Sequence, residues 1–395
     1  MTTESENDDQ CPSETIRVVI QQPSLAKYRV PVFRELAARE GIEFDLLYGD
    51  LDGIPNVDAQ GFRSELVPLG QHRFLGTELL WHTAQGRAVS KRNADVAVLV
   101  WNARYLSLIP TLLKAKLTGV KTILWGHGYS KAESTPRRLI RQSIAKLSDA
   151  LLFYNQPAAD QYLAEGFSEN RVYVACNSLD QAPVQAARQH WLDRPDELEA
   201  FKHENELNEG PTVLYVSRFE TGNRVDLLIE AAAKLRNKHP HLNVILIGKE
   251  NDEQLRLKAL AEELGVTQNV RFLGAIYEEE QLAAWFLSAD VFCYPANIGL
   301  SLLHAFGYGL PVVTGSHIAS HNPEIAALRD GKNGALFPHG DSDALASTLE
   351  RFLSDSEYRN KLGSNAWQTA TEEFTLGNMI DGFEAAIRYC YSKNR

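Results

Sequence analysis

The sequence predicts an α/β fold made of two doubly wound parallel-sheet domains in series, facing a cleft. Three observations predict it. Short β-branched runs alternate with longer helix-period segments from Ile16 almost to the carboxyl end. The apolar runs are near-continuous, as strands covered on both faces of a parallel sheet are. The alternation breaks once, over a polar, helix-prone stretch between Ala182 and Gly210. At 395 residues the chain also exceeds what one hydrophobic core organises.

Taken in order, residues 1–15 read as an acidic, disordered tail without the apolar centre of a signal peptide. Residues 16–182 form the first domain, with strands expected at IRVVIQQ, EFDLLYG, VAVLVW, KTILWGH, ALLFYN and RVYVACN. Residues 183–210 are the connecting segment. Residues 211–376 form the second domain, with strands at TVLYVSR, NVILIGK, VRFLGA, VFCYP and PVVTG. The helix EQLRLKALAEELG is expected to stop at Gly265, the C-terminal position glycine favours. Residues 377–395 form a last helix whose packing periodicity does not place.

Composition narrows the function. Apolar residues at 44% and charged residues at 23% exclude disordered and fibrous classes. A net charge of -11 argues against broad nucleic-acid binding, so an anionic ligand must be held by a local site. Cys11, Cys176, Cys293 and Cys390 are widely spaced and read as reduced thiols of a cytoplasmic protein. No apolar run approaches the roughly 20 residues of a membrane-spanning helix.

In open parallel sheets ligands lie beyond the carboxyl ends of the strands. The most informative stretch there is PANIGLSLLHAFGYGLPVV, from Pro295 to Val313, where a loop with Gly299 leads into a short helix near Ser301 that stops at Gly309. Unsatisfied N–H groups at a helix start favour an anion, and Gly299 lets backbone approach one closely. The segment VSRFETGNRVDLLIEAAAKL sets Arg218 and Arg224 around the preceding strand-to-helix turn, where guanidinium groups suit diphosphate oxygens. HNPEIAALRDGKNGALF adds Glu324 after a proline.

These segments, with NVILIG and VRFLGAIYEEEQLAAWFLSADVFCYP, are collinear over residues 212–375, which resemble the donor-binding half of family 4 glycosyltransferases. The first half resembles the family more weakly, through YRVPVFRELAAREG, WGHG and VYVACNSLD. The resemblance implies the GT-B architecture of two Rossmann-like domains. It implies transfer of a sugar from a nucleoside diphosphate sugar to a glycan or lipid-linked acceptor on the first domain, with retention of anomeric configuration. It also implies neither cofactor nor metal, the nucleotide sugar being a co-substrate. The acidic triplets GDLDG and GDSDA read as turns.

Residue by residue, the resemblance makes Arg218 the phosphate-binding arginine, Glu324 a contact to donor sugar hydroxyls, and Gly299, Leu300 and Ser301 the backbone phosphate site. His127, inside WGHG, matches the first-domain histidine near the reacting sugar, and Tyr28 and Arg29 are placed on the acceptor side. This chain departs from the family at three positions. Asn223 replaces the usual lysine, with Arg224 next to it, and the usual pair of glutamates becomes Ala296 and His304. His304 is expected to hydrogen-bond the nucleotide ribose. The segment 134–150, with Arg137, Arg138, Arg141 and Lys146 among apolar residues, is a candidate for peripheral contact with the inner face of a membrane. One other reading stays open: a catalytically inactive nucleotide-sugar or carbohydrate-binding protein of the same architecture.

Overall fold

The computed structural model describes residues 15–74, 77–129 and 134–393. The expected disordered tail, apart from its last residue, and Cys11 lie outside the described residues. Two compact units form. Of the described residues, the first takes those within 15–154, 158–175 and 380–393, and the second takes 155–157 and 176–379.

The first unit holds strands β1 (Ile16–Gln22), β2 (Ile42–Tyr48), β3 (Arg63–Leu66), β4 (Leu69–Phe74), β5 (Thr77–His82), β6 (Val96–Val100), β7 (Lys121–Gly126), β8 (Ala150–Phe153) and β9 (Val172–Val174). Seven of them make one sheet in the order β3-β2-β1-β6-β7-β8-β9, parallel throughout. The other two pair as an antiparallel hairpin, which the sequence reading does not contain. Strand β3 was not expected either; its four residues are all exposed, so it carries no apolar pattern to read.

The second unit holds β10 (Thr212–Val216), β11 (Asn243–Ile247), β12 (Val270–Phe272), β13 (Val291–Cys293), β14 (Val312–Gly315) and β15 (Gly334–Phe337). They form a parallel sheet in the order β12-β11-β10-β13-β14-β15. In each sheet the order reverses beside the first strand, between β1 and β6 and between β10 and β13, and such switch points open a crevice at the strands' carboxyl ends. Apolar burial follows: Val213, Leu214, Val244, Ile245, Val291, Phe292, Val312 and Val313 are all fully buried.

Two boundaries differ from expectation. Residues 183–210 are not a free connection but belong to the second unit, as the helices Ala182–Leu192 and Pro195–Glu204. The first of these buttresses the short helix Ser301–Gly307, because Gln181 Nε2 donates to Leu303 O at 3.1 Å and Gln185 Nε2 to Gly307 O at 2.8 Å. The last helix, Leu376–Ser392, passes into the first unit, where Phe383 meets the Trp125 ring edge-on at 4.7 Å and Arg388 Nη2 donates to Glu40 O at 2.9 Å. Gly265 ends the helix Asp252–Glu263 with φ +65°, as its position predicts.

The described cysteines, Cys176, Cys293 and Cys390, are free thiols, and burial pushes Cys390 up to about 12. In the triplet GDSDA, Asp341 caps the helix Ser342–Ser354, its Oδ1 accepting from the N–H groups of Asp343 and Ala344 at 2.9 Å. Among the described residues no helix is long and apolar enough to cross a membrane.

Candidate functional site

In the second unit three loops leave the carboxyl ends of adjacent parallel strands β10, β13 and β14, and four polar side chains stitch them together. Asn223 is the hub. It is 2% exposed; its Nδ2 donates to Tyr215 Oη at 3.1 Å and to Arg218 O at 2.9 Å, while its Oδ1 accepts from Asn297 Nδ2 at 3.2 Å. Its carbonyl accepts from Ala296 N at 3.1 Å. Asn297 adopts φ 62°, a left-handed backbone that asparagine tolerates better than most residues. His321 accepts from Ile298 N at 3.2 Å through Nδ1 and donates through Nε2 to Gly315 O at 2.7 Å, which fixes its tautomer. Asn322 N donates to Ile298 O at 2.9 Å, and Asn322 Nδ2 donates to Asn297 O at 3.2 Å.

This stitching gives the loop Pro295–Leu300 a fixed course into its helix. Gly299 leaves room there, because a Cβ would lie 3.0 Å from Asn322 Nδ2, which is already committed to Asn297 and would have to shift. Among the described residues no acceptor meets the backbone N–H groups of Gly299, Leu300 or Ser301. These are the orphan donors of a helix start, and they suit an anion.

The two arginines of the first turn differ. Arg218 is 77% exposed, with only a 3.5 Å approach to Glu220, an exposed pair worth little. Arg224, at φ 54°, instead donates from Nε and Nη2 to the Asp226 carboxylate at 3.1 and 3.0 Å. The expected substitute for the family's lysine is thus engaged with an internal carboxylate, and of the two guanidinium groups Arg218 is the one presented to solvent.

His304 does not stand open for a ribose. Its Nε2 lies 2.6 Å from Glu279 Oε1, which also accepts from Tyr308 Oη at 2.5 Å, and its ring packs on Phe286 with centroids 4.7 Å apart. Burial, with Glu279 accepting its proton, pushes the Tyr308 phenol far above its ordinary range. We therefore expect His304→Ala to lower stability by about 1–2 kcal/mol through Glu279 and Phe286. Nucleoside diphosphate affinity should change little; calorimetry showing a large affinity loss at unchanged melting temperature would restore the ribose role.

Glu324, in the turn Pro323–Ala327, is 3% exposed and accepts a short hydrogen bond from Asn177 Nδ2, and Asn155 Nδ2 donates to Pro323 O at 3.2 Å. Its carboxylate is held within the second unit. Ala296 is buried and offers no polar side chain. Asn297, His321 and Asn322 escaped the sequence reading, although an asparagine before a glycine loop and a histidine–asparagine pair before proline are visible signals.

In the first unit His127 follows β7, exposed, with its ring 4.9 Å from Tyr154 and 5.8 Å from Tyr129. The second glycine of WGHG is structural: Gly128 has φ +70°, and a Cβ there would come within 2.5 Å of the Phe153 ring. Tyr28 is partly exposed, but Arg29 is buried among aromatic rings, its guanidinium carbon 4.7 Å from the Trp125 centroid, 5.1 Å from Tyr28 and 5.3 Å from Tyr154. Arg29 thus packs the loop, and Tyr28 carries its exposed face.

Residues 196–369 match the family described as glycosyl transferases group 1. A phosphatidyl-myo-inositol mannosyltransferase of Mycobacterium leprae is 32% identical over 38% of this chain and 40% of its own length. A D-inositol 3-phosphate glycosyltransferase of Corynebacterium jeikeium is 28% identical over 79% of this chain and 77% of its own. The chain spans 40% and 49% of the length of the first two curated relatives it matches. Among solved structures, Anabaena HepE in complex with UDP superposes with a TM-score of 0.71 at 16% identity, over 94% of this chain and all of that one. A glycosyltransferase from Rickettsia africae gives 0.72 at 14% identity, over 95% of this chain and 98% of that one. Residues 196–369, all in the second unit, thus match the glycosyl transferases group 1 family, and the two Rossmann-like α/β halves have the GT-B fold.

Proposed function

We propose that the protein is a retaining glycosyltransferase that moves a sugar from a nucleoside diphosphate sugar to a glycan or lipid-linked acceptor in polysaccharide or glycolipid assembly. The observation that carries the reading is the loop junction of the second unit, where orphan N–H groups at 299–301 are tied through Asn223 to the turn that presents Arg218. Transfer leaves growing negative charge on a diphosphate, and fixed donors aimed at it are the largest lever an enzyme has. Arg218 and the backbone N–H groups supply that lever without cofactor or metal. In the proposed step the acceptor oxygen bonds the anomeric carbon on the face that the diphosphate leaves. The carbon–oxygen bond to phosphate breaks, and the hydroxyl proton passes to the departing phosphate oxygen. His127 would orient the acceptor hydroxyl, and Glu324, positioned by Asn177, would face the donor sugar.

A thermal-shift screen with UDP, GDP and their sugars tests the donor site, since a ligand at a hundred times its Kd stabilises by about 2.7 kcal/mol. One nucleoside diphosphate should raise the melting temperature, and the anomeric proton coupling of the product should match that of the donor. An inverted product would end the retaining mechanism. Ala296 and the engagement of His304 with Glu279 favour a second reading, a binding protein without turnover. Nucleotide binding with no nucleotide release, by transfer or slow hydrolysis, would select it.

The helix Thr135–Leu147 supports peripheral docking on anionic lipid at the cytoplasmic face. Arg137, Arg138, Leu139 and Ile140 are all exposed on its first turns, an apolar and basic mixture that suits a headgroup region. The protein should sediment with phosphatidylglycerol vesicles and not with phosphatidylcholine vesicles; equal recovery with both would remove this contact.

A further inference from the structure

The first unit carries an open cavity of about 540 Å³, of the size that takes a small ligand. The carboxyl ends of β6 and β7 supply Trp101, Arg104 and His127, and the helix Thr135–Leu147 supplies Arg137, Ile140 and Arg141. Three guanidinium groups thus line one cavity in a chain of net charge -11, and its described lining includes no Asp or Glu. Arg104 pairs with Glu78 at 3.0 Å, and Arg141 Nη1 donates to Gly128 O at 3.2 Å, so both are positioned by the fold. Trp101 forms part of the cavity wall: it is 6% exposed and packed edge-on against Tyr162 with centroids 5.3 Å apart, its indole nitrogen sealed from solvent, so the ring reports on the cavity without itself meeting a ligand oxygen.

We propose that this cavity binds a phosphorylated acceptor, its phosphate held by Arg104, Arg137 and Arg141 and its apolar part lying against Ile140. Phosphate suits the set better than carboxylate. Three guanidinium forks converge on one cavity and present more donors than two carboxylate oxygens accommodate, whereas a phosphate monoester offers three terminal oxygens and up to two charges, and a phosphodiester two terminal oxygens beside two ester oxygens. The inference rests on the transferase reading only in making the ligand the acceptor. It specifies a substrate class that the donor site does not determine.

The test follows the indole N–H resonance of Trp101, assigned by its loss in Trp101→Phe, in the full chain. Glucose 6-phosphate and dihexanoyl phosphatidylglycerol are titrated against glucose and hexyl glucoside. A shift with the phosphorylated probes alone is expected: with the sugar phosphate it indicates a soluble phosphorylated acceptor, and with the lipid alone a lipid headgroup. Arg137→Ala, at an exposed position, should weaken that binding by about ten- to a hundredfold, with Arg137→Lys recovering part of it. Equal shifts with the phosphate-free probes, or none with any probe, overturn the proposal. UDP binding sensitive to Arg218→Ala reports the donor site separately. If it persists while Trp101 stays silent, the acceptor inference falls alone. If it is absent while Trp101 responds to phosphate, the transferase reading falls and the anion cavity stands.

Discussion

Arg218→Ala should lower transfer, or slow donor hydrolysis, by about 10²–10³-fold, the range found when one donor to a developing oxyanion is removed. Its effect on the fold should be close to nothing, and the structure says why. The guanidinium is largely in solvent and its approach to Glu220 at 3.5 Å contributes little. What the fold uses at this position is the backbone carbonyl, which accepts from Tyr215 Oη and Asn223 Nδ2, both at 2.9 Å. Alanine keeps that carbonyl. Loss of nucleoside diphosphate affinity at constant melting temperature is therefore the signature of a leaving-group contact. Arg218→Lys should recover only part of the loss, because an ammonium keeps the charge but not the planar fork. Calorimetry with UDP and GDP showing affinity equal to the parent protein would take Arg218 out of the site.

What was legible in the sequence divides along a physical line. Strands buried on both faces announce themselves by unbroken apolar runs, so every strand of the two sheets but β3 and β15 was readable, the latter, GALF, being too short after its glycine-rich turn to stand out, and so were the glycines that end helices at Gly265 and Gly309. Strand β3, exposed along its length, and the antiparallel hairpin β4–β5 have no such run. At the site, residue type marked Arg218 and the glycine-opened helix start because their chemistry is local. The roles of Asn223, Arg224 and His304 were not readable, since each depends on a partner found only in the folded chain. Arg224 is tied by a carboxylate two residues on, His304 by one 25 residues earlier, and Asn223 by an asparagine 74 residues later. The resemblance to the family names these positions from the sequence, whereas the partners that hold each side chain come only with the fold.

Asn223 tests that distinction most sharply. Read as a substitute for a phosphate-binding lysine, it would touch ligand, and its removal would cost affinity alone. Read from its contacts, it is a positioning residue. Asn223→Ala leaves Tyr215 Oη with one bond fewer, removes the acceptor that Asn297 Nδ2 meets at 3.2 Å and frees the Arg218 carbonyl from the buried hub, so stability should fall by about 2–3 kcal/mol. That corresponds to a melting-temperature drop of roughly 5–10 °C for a unit of this size. Donor affinity should fall with it, because the carbonyl of Arg218 and the loop at Asn297 are no longer tied together. Asn223→Asp should be worse than alanine in stability, since a carboxylate oxygen would replace the donor now facing the Arg218 carbonyl at 2.9 Å. Restoring the family's residue with Asn223→Lys should not raise affinity, because the side chain would carry its charge out of a space that is 2% exposed and would break the same bonds. A lysine variant that binds nucleoside diphosphate more tightly at an unchanged melting temperature would show that the position faces the ligand after all, and that the junction holds without its hub.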